Sequence, residues 1–290
     1  MQAIRYEAPT TIEAAVALLA GADGAAKVLA GGTDLLAQMR SGMVRPALIV
    51  DVKGIPELTA ILADRGGGFR IGAAVSGAVL GEREDVRAAW PGVVEAHELI
   101  GSTQIQGRAS LGGNLCNASP AADSVPAMVA AAARCTIAGP NGRREVAVGE
   151  VGTGPGHTSL GRGEFVVDIR LPRRPPRSSD AYLRLIPRTE MDIAVVGAGV
   201  SLTIDEGGTC TDARVALGAV APTVVLVPEA ARALIGTRLG DNALAALDAA
   251  ARAACRPIDD KRGTVEYRTT VAGVLARRAA KIALERARSH

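Results

Sequence analysis

Residues 107–124 read GRASLGGNLCNASPAADS, a run of small and polar side chains that holds Gly112 and Gly113 side by side, directly before Asn114. A second stretch of the same character, KVLAGGTDLLAQMR, occupies residues 27–40. In the latter an apolar strand runs into Gly31 and Gly32, and Thr33 and Asp34 open a helical turn. Such a turn aims successive backbone N–H groups at one point, the geometry that binds phosphate oxygens. In the former, Ser110 and Asn114 add side-chain hydrogen bonds to another set of exposed N–H groups. Two such loops could grip a pyrophosphate from opposite sides. Tight structural turns explain each loop taken alone equally well.

The flanking sequence sets the loops in a fold. AIRYEAP (3–9) reads as a strand, and TTIEAAVALLAG (10–21) as a helix with a capping box between Thr10 and Glu13 and a stop at Gly21. KVLAGG, the turn TDLLAQMRSG and the strand PALIVDV complete a β-α-β-α-β order, which gives a small parallel sheet. From residue 54 the elements shorten. LTAIL and FRIGAAV pair across the glycine-rich ADRGGG turn. Short helical patches follow at GAVLGERED, AAWPGVVEAHELIG and STQIQG, then an apolar helix SVPAMVAAAA. RCTIAG and RREVAVG pair across PNG, GTGPGHTSLGRG (152–163) reads as a mobile surface loop, and GEFVVDIRLP as an alternating edge-type strand.

RLPRRPPR (170–177) carries three prolines and reads as a linker. Beyond it AYLRLIPR, DIAVVGAGVSLTID and CTDARVALGAVAPT predict three antiparallel strands. They precede the helices PEAARALIG, DNALAALDAAARAA and VEYRTTVAGVLARRAAKIALERA, so this unit is α+β.

Composition excludes several classes. The 290 residues carry a formal net charge of +3 with dispersed basic residues and no aromatic-studded basic face, which argues against nucleic-acid binding. No apolar run reaches the span of about 18 residues needed to cross a bilayer, and the N-terminus lacks a secretory pattern. The expectation is a cytoplasmic protein. Cys116, Cys135, Cys210 and Cys255 stand far apart, and His97, His157 and His290 are equally scattered, so no metal, zinc or iron–sulfur site is expected; the three histidines read as surface or loop residues. The G-x-G of VVGAGVSLTID lies inside a strand that continues to Asp205, without the turn and helix of a dinucleotide fingerprint, and its glycines are expected to let neighbouring backbone pack closely. No P-loop and no nucleophile elbow is present.

AGGTDLLAQMR (30–40) together with STQIQGRASLGGNLCNASPAADSVPA (102–127) closely resembles the FAD-binding medium subunit of the molybdenum hydroxylases, the xanthine dehydrogenase and carbon monoxide dehydrogenase family. RVALGAVAPT (214–223) and RPIDDKRGTVEYRTTVAGVLARRA (256–279) resemble that family's C-terminal domain. The resemblance implies an FAD-binding fold of the p-cresol methylhydroxylase/vanillyl-alcohol oxidase type. Its two α/β subdomains would span 1–53 and 54–176, and a C-terminal α+β domain 178–290. Carried over by position, Val28, Leu29, Ala30, Gly31, Gly32, Thr33, Asp34 and Leu35 would form the first pyrophosphate loop, and Ser110, Leu111, Gly112, Gly113 and Asn114 the second. Asp123 would bond the cofactor's polar portion, Ile100 would touch the adenine, and Val167 and Arg184 would lie near the flavin ring. No catalytic side chain and no metal ligand is implied in this chain. The molybdenum cofactor and [2Fe–2S] clusters would belong to a large and a small partner subunit, in a dimer of heterotrimers. The chain lacks the inserted cysteine cluster of the 4-hydroxybenzoyl-CoA reductase branch. A stand-alone flavin oxidoreductase and a scaffold without cofactor are the competing readings.

Overall fold

The computed structural model describes residues 4–22, 24 and 26–289. The chain begins with β1 (Arg5–Glu7), α1 (Ile12–Gly21), β2 (Ala26–Leu29), α2 (Leu35–Arg40) and β3 (Leu48–Asp51). β3 lies between β1 and β2 and runs parallel to both. All four residues of β3 are buried, as a central parallel strand requires. Helix α1 covers the sheet with Ile12, Ala15 and Leu19, one helical face. Its cap is Thr11, in extended backbone, whose Oγ1 accepts the Ala14 N–H at 3.2 Å. The helix thus starts one residue later than the Thr10–Glu13 capping box predicts, and Gly21 is still helical; the positive φ that turns the chain falls at Gly24.

The second unit opens with a 3₁₀ turn (Val52–Gly54), α3 (Pro56–Thr59) and the hairpin of β4 (Ile61–Ala63) and β5 (Phe69–Gly72). Asp64 Oδ1 fixes the hairpin turn by accepting the N–H groups of Gly66 at 2.7 Å and Gly68 at 3.0 Å. A chain of short helices follows: α4 (Gly77–Gly81), α5 (Glu84–Ala89), α6 (Pro91–Glu98), α7 (Thr103–Gln106), α8 (Leu111–Cys116) and α9 (Ser124–Ala130). Then come β6 (Arg134–Gly139), β7 (Gly142–Ala147), β8 (Gly152–Gly154), β9 (His157–Thr158) and β10 (Phe165–Leu171). An antiparallel sheet is built in the order β4-β5-β10-β6-β7.

Three sequence expectations change here. β10 is the centre of its sheet, not an edge; its one acid, Asp168, is fully buried because Thr136 Oγ1 donates to it at 2.8 Å and Arg70 at 2.5 Å. The segment expected as a mobile loop pairs with itself as the β8–β9 hairpin, and Ser159 N–H and Oγ anchor it to Val151 O and Glu150 O at 2.8 and 2.9 Å. His97 is no surface residue: it sits on α6 at 1% exposure.

The last unit contains β11 (Ser178–Leu185), β12 (Val196–Ile204), β13 (Cys210–Gly218) and a fourth, unforeseen two-residue strand β14 (Val225–Leu226), antiparallel in that order. Helices α10 (Pro228–Arg232), α11 (Asp241–Ala253) and α12 (Val265–Ser289) follow. α12 packs on β11 and β12 through Ala272, Ala276, Ala279, Ala280, Ala283 and Ala287, small side chains that let helix and sheet approach closely. The opposite face of the sheet meets α9. A Cβ on Gly199 would lie 2.7 Å from the Pro126 carbonyl oxygen, which explains the glycines of VVGAGVSLTID as packing residues.

The proline-rich stretch is docked rather than free. Arg174 lays its guanidinium 3.7 Å above the Trp90 ring and pairs with Asp180 at 2.5 Å, while Trp90 Nε1–H donates to Pro172 O at 3.1 Å. Arg286 of α12 adds an ion pair with Glu95 of α6 and a 3.0 Å hydrogen bond to Asp180 O.

Candidate functional site

The two glycine loops meet. β2 ends at Leu29, and the chain turns through Ala30–Asp34 into α2. A Cβ on Gly31 would overlap the carbonyl of Arg108, so the first loop touches the backbone that leads into the second and only glycine fits there. Gly32 has φ of 77°, the left-handed region that disfavours side chains. The N–H groups of Gly31, Gly32, Thr33 and Asp34 donate to no acceptor within the described residues, whereas the Gly32 and Asp34 carbonyls accept Leu36 N–H at 3.0 Å and Gln38 N–H at 2.9 Å. The turn therefore leaves four consecutive donors for a ligand.

The second loop is the start of a short helix. Ser110 is the N-cap of α8; its Oγ accepts the Gly113 N–H at 3.1 Å, and its carbonyl accepts Asn114 N–H at 2.9 Å. The Gly112 N–H is left unpaired among the described residues, as first-turn donors are. Asn114 Oδ1 accepts both the backbone N–H and the hydroxyl of Ser124, at 3.3 and 2.7 Å, which fixes its amide and keeps the NH₂ group as a donor without an acceptor among the described residues. Behind the loop, Ala109 O accepts Gly77 N–H at 2.9 Å and faces His97 Nε2 at 3.3 Å. That carbonyl makes Nε2 the protonated nitrogen. Burial lowers the His97 pKa to about 4, so the ring stays neutral.

Both loops line one cleft whose empty space, the part open to solvent included, is about 1050 Å³. Of the residues singled out in the sequence, Val28, Ala30, Gly31, Gly32, Thr33, Asp34, Leu35, Ile100, Ser110, Gly112, Gly113 and Asn114 line it. Leu29 packs against Gly32, and Leu111 is buried in the core beside the loop. Val167 does not reach the cleft. It sits at a register shift in β10, fully buried among Leu58, Ala74 and Phe165, and its neighbours Phe165 and Val166 line the wall instead.

Asp123 and Arg184 find each other rather than the cleft: Arg184 Nη1 lies 2.6 Å from Asp123 Oδ2, and Tyr182 OH donates to Oδ1 at 2.9 Å. Burial outweighs both partners and raises the Asp123 pKa to about 6.

The structure adds wall residues without a sequence signal of their own: Lys27, Gln38, Val52, Ala73, Ala109, Cys116, Asn117, Leu160 and Glu164. Lys27 neighbours Val28 on β2, so strand alternation would place it on the opposite face and does not flag it; Leu160 lies in an irregular segment, where no periodicity marks it. Lys27 is the one cationic side chain among the lining residues. Glu164 is already committed, to Arg144 at 2.8 and 2.7 Å and to Gly161 N–H at 2.7 Å, which holds its carboxyl below the usual range.

Unpaired N–H donors lining a cleft, with Ile100, Leu160 and Val166 as apolar wall, fit a dinucleotide that has a pyrophosphate and two flat ring systems. Fold and site together define a cofactor-binding protein of the two-subdomain FAD type. Residues 2–174 match the family described as FAD binding domain in molybdopterin dehydrogenase, and residues 181–283 the CO dehydrogenase flavoprotein C-terminal domain. The carbon monoxide dehydrogenase medium chain of Afipia carboxidovorans is 36% identical over 98% of both chains. The xanthine dehydrogenase FAD-binding subunit of Escherichia coli O157:H7 is 31% identical over 91% of this chain and 90% of its own. The solved structure of reconstituted CO dehydrogenase from Oligotropha carboxidovorans superposes with a TM-score of 0.94 at 35% identity, covering 98% of each chain. That of quinoline 2-oxidoreductase from Pseudomonas putida 86 gives 0.90 at 27% identity, with the same coverage. The chain belongs to the FAD-binding medium subunits of the molybdenum hydroxylases, an oxidoreductase family.

Proposed function

We propose that this chain is the electron-transfer subunit of a molybdenum hydroxylase and holds FAD with its pyrophosphate between Gly31–Asp34 and Ser110–Asn114. The observation that supports this most directly is that unsatisfied backbone donors of the turn after β2 and of the first turn of α8 line one cleft. When bound, FAD supplies a two-electron store that is filled from the [2Fe–2S] clusters of a small partner subunit, themselves fed by a large molybdopterin subunit, and emptied to an external acceptor. The chain's own residues bind and orient. Gly31–Asp34 and Gly112 present donors to phosphate oxygens, Asn114 adds its NH₂ group, and Ile100, Leu160 and Val166 exclude water from the apolar parts. His97 and Ser124 hold the second loop in place through Ala109 and Asn114. The reading takes 1–53 and 54–176 as the two FAD lobes and 178–290 as the domain packed beside them, in a cytoplasmic dimer of heterotrimers with the small and large subunits. Among the described residues no helix is long and apolar enough to cross a membrane.

The test is the visible absorption spectrum of the chain expressed by itself, with identification of any cofactor released on denaturation. Stoichiometric FAD and no iron–sulfur absorbance is the expected result. A folded, colourless chain that takes up no added FAD would overturn the reading.

A further inference from the structure

Helix α2 is the least anchored wall of the cleft. None of its residues is buried, whereas α8 opposite sinks Leu111, Gly112 and Leu115 into the interior. The back of the cleft is closed by a shared core, in which Ile12, Leu48 and Val50 of the first sheet pack with Leu58, Phe165 and Val167 of the second unit. At the front, Gln38 Nε2 donates to Asn117 Oδ1 at 3.1 Å, joining positions 79 residues apart. Among the described residues this is the one side-chain hydrogen bond that α2 makes to another element, and both partners line the cleft.

We propose that Gln38 and Asn117 form a clasp that holds α2 across the cleft and sets the rate at which FAD enters and leaves; this rests on the cleft being the FAD site. The bond joins two protein groups and requires no cofactor atom, so the clasp opposes passage in both directions. Its loss therefore accelerates entry as well as exit. A side chain that bonded FAD directly would instead change affinity through the exit rate alone.

The experiment uses the 290-residue chain and the near-isosteric variants Gln38→Met and Asn117→Leu, singly and combined, with FAD binding and release followed by flavin fluorescence. Both residues are half-buried at the cleft rim, so the variants leave the core untouched. Each single variant is expected to raise both rates about two- to tenfold, the worth of one hydrogen bond. The double variant should be no faster than either single one, because all three lack the same bond. Amide exchange across Leu36–Met43 should also quicken in Gln38→Met. Unchanged rates, effects that multiply in the double variant, or a weakened affinity carried by the exit rate alone would overturn the clasp while leaving the FAD site intact. A native chain that binds no FAD would overturn the site and the clasp with it.

Discussion

Arg184 of β11 reaches Asp123, the residue before α9, with 2.6 Å between guanidinium and carboxylate, and Tyr182, two residues earlier on the same strand, donates its hydroxyl to the other carboxylate oxygen at 2.9 Å. The ion pair ties the C-terminal sheet to the segment that carries Ser124, and Ser124 in turn fixes Asn114 in the second glycine loop. A contact between domains thus supports the cleft wall through two intermediate side chains.

The pH behaviour of this cluster has a definite sign. Asp123 titrates at about 6 because burial costs its charged form more than Arg184 and Tyr182 return. With a folded value above the unfolded one of about 3.9, its contribution to stability is full below pH 4 and is lost as pH rises through 6. Asp123→Asn cannot ionise and should gain on the native chain as pH rises from 5 to 7.5. Melting temperatures across that range decide it; a variant that falls further behind at high pH would show Arg184 to be the dominant influence.

His97 works in the opposite direction. Its folded value of about 4 lies below the free imidazole's, so the stability it contributes is present above about pH 6.5 and is lost as pH falls toward 4. Ring-proton NMR shifts should report a neutral imidazole at pH 5.5. His97→Gln should flatten the acid limb of the stability curve relative to the native chain. A ring that is protonated at that pH would contradict the buried placement.

The two glycine loops respond differently to the same substitution. At Gly113 an added Cβ meets only Ser110 Oγ, at 3.1 Å, so Gly113→Asp should fold and yet place a carboxylate at the proposed phosphate site. Gly32 has positive φ, and its Cβ would press on Leu29 and Leu36, so Gly32→Asp should lose both FAD and loop structure. Flavin absorbance together with the melting temperature of the cofactor-free chains separates the two effects. Retained FAD in Gly113→Asp would displace the second loop from the pyrophosphate site.

Arg174 is predicted to hold two units together. Removing it as Arg174→Met leaves Asp180 buried without its counter-charge, at a cost of about 3–5 kcal/mol. The emission of Trp90, the chain's single tryptophan, should change as the guanidinium leaves its ring face. Arg174→Met combined with Asp180→Asn should recover most of the lost stability, as no charge is then stranded. Failure of the pair to recover would mean that the lost packing on Trp90 dominates.

Periodicity and turn chemistry carried the element order: the β-α-β-α-β start, the hairpin across ADRGGG and the long α12 follow from short-range preferences written in the residues themselves. They also exposed both glycine loops as runs of small residues, although the contacts that demand glycine at Gly31 and Gly112 come from Arg108 and Ala73, far away in the chain. Sheet position was not legible. GEFVVDIRLP reads as an alternating, edge-type strand, and only the arrival of Thr136 and Arg70 from distant parts of the chain makes its acid, Asp168, compatible with the centre of a sheet.

The sequence by itself therefore determined which backbone segments could hold phosphate and, through its family resemblance, which cofactor. The tertiary structure decided that the segments face one cleft, that Phe165 and Val166 rather than Val167 line it, that His97 lies buried behind the second loop, and that Gln38 meets Asn117 across the front. The reason is range. Backbone conformation at a turn is fixed by a few adjacent residues, whereas burial, strand register and side-chain pairing depend on groups brought together from positions as far apart as 38 and 117.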